Sequence, residues 1–316
     1  MKDMNSELLA TRKLSIRMCS CSGPQTLIGP VDLSVPEKGI TALVGESGCG
    51  KTVVSLAILG LLPAGSEAKG VISFNGTDLL SLKEKELREM RGKEIAYIPQ
   101  NPATALTPVL SAEDQIAETL YYHEGLTGAS LHRKVISLLE SMGLYNPEHV
   151  ARSCPHTLSG GMRRRVAIAA ALACSPRLII ADEPTSGLDS RTRKNVLDLL
   201  GRSSEGRAML LITHDLEAAL SVSDRITVMY AGEVVETGDI MDVFDSPAHP
   251  YTRALLSATP SRGLIPIPGN SPLLSTIPEG CRFAPRCPHS TARCRLRHPS
   301  LTRLSGTRVV RCDMPC

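Results

Sequence analysis

Apolar and polar positions alternate with two different periods along the first 245 residues. Short apolar or alternating runs bounded by turn residues predict strands, at Leu14–Met18, Val31–Val35, Ile40–Val44, Val71–Asn75, Leu178–Ala181, Ala208–Thr213 and Arg225–Tyr230. Apolar residues at helical spacing predict helices, at Ser111–His123, Ser130–Met142 and a stretch that starts after Lys51 and ends at Pro63. Strands that alternate with helices predict an α/β fold with a helical insertion near residues 105–165.

The pattern changes after about Pro247. Residues 260–316 are rich in Pro, Arg and Cys and show little periodicity, so we expect a small appended module held by something other than a hydrophobic core. The expected domains are therefore residues 1–250, which include a helical subdomain at about 105–165, and a cysteine-rich extension at 251–316.

The composition excludes some classes of protein. Aromatic residues make up 3% of the chain, which argues against a stacking surface for single-stranded nucleic acid. A net charge of +3 is too small to indicate a polyanionic partner, so no nucleic acid is expected. No apolar run approaches a membrane span, and the first residues lack an apolar signal core. We therefore expect a cytosolic protein, in which the ten cysteines do not form stable disulfides.

An eight-residue loop follows the predicted strand Ile40–Val44 and precedes a predicted helix. Its sequence, GESGCGKT, fits the pattern G-x-x-x-x-G-K-[ST] in the context that the pattern requires. Backbone N–H groups of such a loop curve around phosphate oxygens, and the helix N-terminus adds partial positive charge. Lys51 is expected to reach the β- and γ-phosphates and Thr52 to hold Mg²⁺, the alternative being a glycine-rich turn without a ligand. The candidate nucleotide-binding residues of this loop are Gly45, Glu46, Ser47, Gly48, Cys49, Gly50, Lys51 and Thr52.

Two carboxylates end the predicted buried strand Leu178–Ala181. Asp182 is placed to bind Mg²⁺, directly or through water, and Glu183 can orient and deprotonate an attacking water. An isolated Asp-Glu pair is more often a solvated strand end, but a phosphate-binding loop in the same chain favours the catalytic interpretation.

A second anion site is predicted at Leu158–Met162, the sequence LSGGM, which precedes the helical stretch Arg163–Ala173. A serine and two glycines at a helix start favour anion binding. Two phosphate sites in one chain are redundant unless the second serves the nucleotide of another molecule.

Together these motifs resemble the nucleotide-binding subunits of ABC transporters over roughly residues 10–245. The resemblance implies that the signature residues Ser159, Gly160, Gly161 and Met162, with Asp189 of a D-loop, contact the nucleotide held by an opposite subunit. It also implies that Gln100 is the Q-loop ligand of Mg²⁺ or water and that His214 is the switch histidine. Catalysis would then involve Glu183, His214 and Lys51.

Three further segments are similar to the dipeptide, oligopeptide and nickel importer branch of that family. They are Pro155-His156, the sequence HPYTRALLSA from His249, and the sequence GCRFAPRCP from Gly280. This resemblance implies an ATPase that powers import of peptides or related solutes from the cytoplasmic face of the inner membrane, as a peripheral subunit. Its expected partners are a second related ATPase, more often different than identical, two transmembrane permeases and an extracytoplasmic binding protein. A non-transport ABC ATPase of nucleic-acid repair, translation or cofactor assembly is the alternative.

Four tail cysteines are candidate metal ligands: Cys281, Cys287, Cys294 and Cys312. Their spacing is not the C-x2-C pair of ordinary zinc modules, and four thiolates can hold either zinc or an iron–sulfur cluster. The branch resemblance implies a [4Fe–4S] cluster.

Two positions depart from the family pattern. Met18 occupies the place where the family usually has an aromatic residue that stacks on adenine. Arg164 stands where Gln is common, and we expect at least two of Arg163, Arg164 and Arg165 to lie on a solvated or salt-bridged helix face.

Overall fold

The computed structural model describes residues 7–20, 23–272 and 277–315. Within these ranges the strands are β1 (Glu7–Ser20), β2 (Gly23–Pro36), β3 (Gly39–Val44), β4 (Ser66–Phe74), β5 (Thr77–Asp78), β6 (Ile95–Ile98), β7 (Leu178–Asp182), β8 (Ala208–Thr213), β9 (Arg225–Tyr230), β10 (Glu233–Asp239), β11 (Thr302–Ser305) and β12 (Arg308–Val310). The helices are α1 (Lys51–Ile58), α2 (Glu84–Met90), α3 (Ala112–Glu124), α4 (Gly128–Ser141), α5 (Pro147–Arg152), α6 (Gly160–Ala171), α7 (Ser190–Ser203), α8 (Leu216–Val222), α9 (Ile240–Asp245), α10 (Pro250–Ser257) and α11 (Ala292–Leu296). None of these helices combines the length and apolar character that crossing a membrane requires.

The chain forms two compact units. The first contains Met1–Leu82 and Leu210–Cys316, and the second contains Lys83–Met209, so the boundary falls inside β8. The predicted division of the chain near residue 250 stays a prediction.

Two sheets form the first unit. One is antiparallel in the order β2-β1-β4-β5, and the other has the order β11-β12-β10-β9-β3-β8 within this unit. Strand β3 pairs with β9 in parallel and is buried from Ile40 to Val44, as its continuous apolar run predicts. The loop that follows β3 is therefore anchored to the interior of the sheet.

The second unit combines the parallel pair β6 and β7 with helices α2 to α7. Helix α3 starts at a capping box, in which Ser111 accepts the N–H of Asp114 and Asp114 accepts the N–H of Ser111. All five residues of β7 are buried, which places its final residue, Asp182, at the end of an apolar strand.

The C-terminal extension joins the core of the first unit, which corrects the expectation that it lacks a hydrophobic core. Phe283 is 1% exposed and packs in one cluster with Tyr230 and Tyr251. Strand β12 also pairs with β10, with Val310 opposite Glu236. The tail is too small for a core of its own, but a few apolar residues suffice when they pack on an existing one.

Candidate nucleotide-binding site

The glycine-rich loop connects β3 to α1 and is tightly held at both ends. A Cβ on Gly45 would lie 2.2 Å from the carbonyl oxygen of Met229, so only glycine fits there. Lys51 opens α1, is 5% exposed, and its Nζ donates to the carbonyl oxygens of Gly45 (2.8 Å) and Glu46 (3.1 Å). Ser47 and Gly48 at the tip are exposed. Backbone amides at a helix N-terminus beside an ammonium group are a donor set that fits phosphate oxygens.

Glu46 is bound by the C-terminal half of the chain. Its N–H donates to Tyr251 Oη (3.0 Å), and its carboxylate accepts both terminal nitrogens of Arg286 (2.9 and 3.0 Å) and the hydroxyl of Ser271. Burial acts to raise the pKa of Glu46, but the Arg286 and Ser271 hydrogen bonds and the charges of Arg286 and Lys51 outweigh it and lower that pKa. Tyr251 and Arg286 lie in the importer-type motifs. Nothing in those motifs predicts that they contact Glu46.

The carboxylate site of the second unit forms where β6 and β7 end. The two strands are parallel with Ile98 opposite Ala181, so the residues beyond their carboxyl ends meet. Tyr97 Oη donates to Asp182 Oδ2 (3.1 Å), and Gln100 Nε2 lies 3.4 Å from Glu183 Oε2. Gln100, Asp182 and Glu183, which the sequence analysis named as site residues, thus lie at one edge of the strand pair, whereas the contact of Tyr97 with Asp182 was not predicted.

Glu183 has a backbone φ of +45°, in the left-handed region that is costly for residues other than glycine. Such strain is found at sites where a side chain must be presented in one direction. Asp182, one residue earlier, is 2% exposed, whereas Glu183 is half-buried. The two neighbouring carboxylates therefore have different environments, as a metal ligand and a proton acceptor would need.

The signature residues start α6. Ser159 Oγ accepts the N–H of Met162 (3.2 Å), and a Cβ added to Gly160 or Gly161 would meet no atom within 4 Å. Asp189 caps α7 by accepting the N–H groups of Arg191 and Thr192. Gly160, Gly161 and Asp189 line one cavity of about 590 Å³ in the second unit.

Arg164 is buried, whereas Arg163 and Arg165 are half-buried, so the prediction of a solvated face does not hold for Arg164. Arg164 is 9% exposed and donates to the carbonyl oxygen of Pro184, the residue after Glu183. Arg165 Nη1 donates to the carbonyl oxygens of Met142 (2.7 Å) and Gly143 (3.0 Å) at the end of α4. The planar guanidinium reaches backbone acceptors that a sequence pattern does not display.

The candidate residues fall into both units. The loop from Gly45 to Thr52 and the exposed His214, which directly follows β8, belong to the first. Gln100, Asp182 and Glu183, the signature residues and Asp189 belong to the second.

Comparison with known proteins decides the family. Residues 28–186 match the family described as ABC transporter, and residues 235–294 match the family described as oligopeptide/dipeptide transporter, C-terminal region. The chain belongs to the ABC transporter family. Its α/β fold is that of the ABC nucleotide-binding domain, as predicted from the motifs.

Relatives in this ABC family are similar over nearly their full length. The dipeptide transport ATP-binding protein DppD of Escherichia coli is 41% identical over 98% of this chain and 97% of that protein. The oligopeptide transport ATP-binding protein AppD of Bacillus subtilis is 40% identical over 97% of this chain and 96% of that protein. A solved structure, the ATP-binding cassette MJ0796 bound as a dimer to ADP and Pi, has a TM-score of 0.64 and 26% identity, covering 73% of this chain and 98% of that one. The homologues are ATP-binding subunits of peptide transporters, which supports the transport ATPase over the non-transport alternative.

The four tail cysteines of this ABC subunit line one cavity. Cys281, Cys287, Cys294 and Cys312 border it together with His249 and Phe283. Gly280 lets a loop of the tail approach helix α11, because a Cβ there would lie 2.4 Å from the carbonyl oxygen of Cys294, which accepts the N–H of Cys281 (2.7 Å). In the described part of the chain, no set of three or more His, Cys, Asp or Glu side chains forms a site for a single metal ion. Four thiols around one cavity are the donor set that an iron–sulfur cluster takes.

Proposed function

We propose that this chain is the ATP-hydrolysing subunit of an ABC importer that takes up peptides or related small solutes. The observation that carries the proposal is the similarity of the whole chain, including residues 235–294, to dipeptide and oligopeptide transport ATP-binding proteins. In this proposal residues 1–250 form the nucleotide-binding domain and residues 251–316 the importer-type extension.

The proposed nucleotide site gives each group of candidate residues one task. The loop amides from Gly45 to Gly50 and Lys51 bind the phosphates, and Thr52, Gln100 and Asp182 would hold the magnesium, which would neutralise phosphate charge. Glu183 accepts the proton of the attacking water, held in place by its contact with Gln100. His214 contacts the γ-phosphate. Ser159, Gly160, Gly161, Met162 and Asp189 serve the nucleotide of the opposite subunit.

The proposed assembly contains a second, related ATPase, two permeases and an extracytoplasmic binding protein. The chain would lie as a peripheral subunit on the cytoplasmic face of the inner membrane. Purification of the tagged full-length chain from detergent-solubilised membranes tests this, with mass spectrometry of the co-purified proteins. Multi-spanning permeases and a second ATPase are expected. Recovery of ribosomal or nucleic-acid repair proteins without permeases would instead support the non-transport alternative.

A [4Fe–4S] cluster is the group we propose for the tail cysteines. Support comes from the shared cavity of the four thiols, a donor set that an iron–sulfur cluster takes, and from the resemblance to the importer branch; zinc is the alternative that the same four thiols could bind. The cluster would have a structural or regulatory role, since ATP hydrolysis needs no redox step.

Iron analysis tests the cluster proposal. Anaerobically purified chain should be brown and carry about four irons if the cluster is [4Fe–4S]. Cys287→Ser should lose the iron, whereas Cys154→Ser, outside the tail, should keep it. Colourless protein with one zinc per chain would overturn the iron assignment.

A further inference from the structure

The tail segment between Cys281 and Cys287 touches the phosphate-binding loop of the same chain. Arg282 follows Cys281, and Arg286 precedes Cys287. Both arginines are buried, at 8% exposed. Neither belongs to the phosphate-binding motif, and the nucleotide site described above assigns them no task.

Arg286 forms a fixed fork onto the loop. Its two terminal nitrogens bind the two carboxylate oxygens of Glu46, and its Nε donates to the carbonyl oxygen of Pro268 (2.8 Å). The guanidinium lies over the Tyr230 ring at 5.7 Å from its centroid. A bidentate pair with the arginine held from several sides fixes orientation as well as distance.

Arg282 supports the loop from its other end. Its terminal nitrogens donate to the carbonyl oxygens of Ala231 (2.5 Å) and Gly29 (2.8 Å). The next residue, Gly232, donates its N–H to the carbonyl oxygen of Cys49 in the loop (3.0 Å). The segment therefore holds both the second and the fifth residue of the loop, one directly and one through a turn.

The charge of Glu46 gives the Arg286 contact a consequence for ligand binding. Glu46 is a partly buried carboxylate in a loop that binds polyanions, and Lys51 is near enough for its charge to act on Glu46. Without Arg286, the carboxylate would repel the triphosphate and compete with it for Lys51. With Arg286 in place, the charge of the Glu46 carboxylate is neutralised, and Lys51 stays available for the phosphates.

We propose that the C-terminal extension braces the phosphate-binding loop and that Arg286, acting through Glu46, is a positioning residue for nucleotide binding. The proposal rests on the proposed function only in that this loop binds ATP. The tail would then have a task in the ATPase itself, because Glu46 and Arg286, which are 240 positions apart in sequence, act as one pair.

A single and a double variant of the full-length chain test the proposal. The quantity measured is the Kd for Mg·ATP, by calorimetry. Arg286→Gln should weaken binding about tenfold, because it leaves Glu46 unpaired. The double variant Glu46→Gln with Arg286→Gln should recover affinity to within about threefold of the wild type, since the uncompensated charge is gone. A tail that only contributes to folding would give no such recovery.

Arg308→Gln is the matched control. Arg308 also comes from the tail, has a side chain that is 12% exposed against 5% for Arg286, and pairs at 2.7 Å with the carboxylate of Glu236, which is not a residue of the loop. The Arg308→Gln variant should have a Kd for Mg·ATP within about twofold of the wild-type value. Wild-type affinity in Arg286→Gln, or a double variant as weak as the single one, would overturn the inference. A wild-type chain that does not bind ATP would overturn the proposed function instead, so the two failures are distinguishable.

Discussion

Glu183 illustrates how one residue can carry a function at the expense of local stability. Its left-handed backbone conformation is unfavourable for a residue with a side chain, yet it aims the carboxylate toward Gln100 beyond the neighbouring strand. The sequence predicted this residue because two carboxylates end an apolar strand in a chain with a phosphate-binding loop. It could not predict the contacts of Tyr97 or Arg286, because a hydrogen bond across 85 or 240 positions leaves no local pattern.

Substitution of Glu183 by Gln should preserve ATP binding and slow hydrolysis by roughly 10²–10⁴-fold, the usual contribution of a positioned base. The amide keeps the shape of the side chain but cannot accept the proton. Phosphate release by the assembled transporter measures the effect, and Glu205→Gln, an exposed acid of the same unit, is the control. Near-normal phosphate release by Glu183→Gln would remove the residue from the role of base.

Secondary structure elements were predictable to different degrees for physical reasons. Strands β8 and β9 were predicted with their observed bounds because most of their residues are apolar and buried. Strand β1 is fourteen residues long, far beyond the predicted Leu14–Met18, because register shifts interrupt its alternation. Strand β10 was missed because its buried positions include Glu233 and Glu236, whose burial depends on arginines of the distant tail.

Helices α4 and α6 are joined by Arg165, which donates to two carbonyl oxygens at the end of α4. Arg165→Ala should lower the free energy of unfolding of the second unit by about 1–3 kcal/mol, since two hydrogen bonds from a charged group are lost, one to the buried Met142 and one to the exposed Gly143. Hydrogen exchange of α4 amides in the full-length chain measures the change. Arg163→Ala, half-buried on the same helix, is the control and should have less effect. Equal protection of α4 in the Arg165 variant and the wild type would show that the two bonds do not stabilise the helix pair.

At the scale of the whole molecule, the account depends on the coupling of ATP hydrolysis to transport. The chain holds one phosphate-binding loop and one signature sequence, and our proposal assigns the signature to the nucleotide of a second subunit. The isolated chain should therefore hydrolyse ATP slowly, and full activity should require the assembled transporter. In our proposal the cargo is set by the other proteins of the assembly, and the energy comes from this chain and a second ATPase.

Peptide uptake into proteoliposomes tests this claim most directly. The vesicles would contain the complex purified through this chain, with Mg·ATP on the side of the ATPase and radiolabelled peptides with the binding protein on the other. The account predicts uptake that requires ATP hydrolysis and is lost when this chain carries Glu183→Gln. Uptake at the wild-type rate by the Glu183→Gln complex, or ATP hydrolysis by the wild-type complex that never moves peptide, would contradict it.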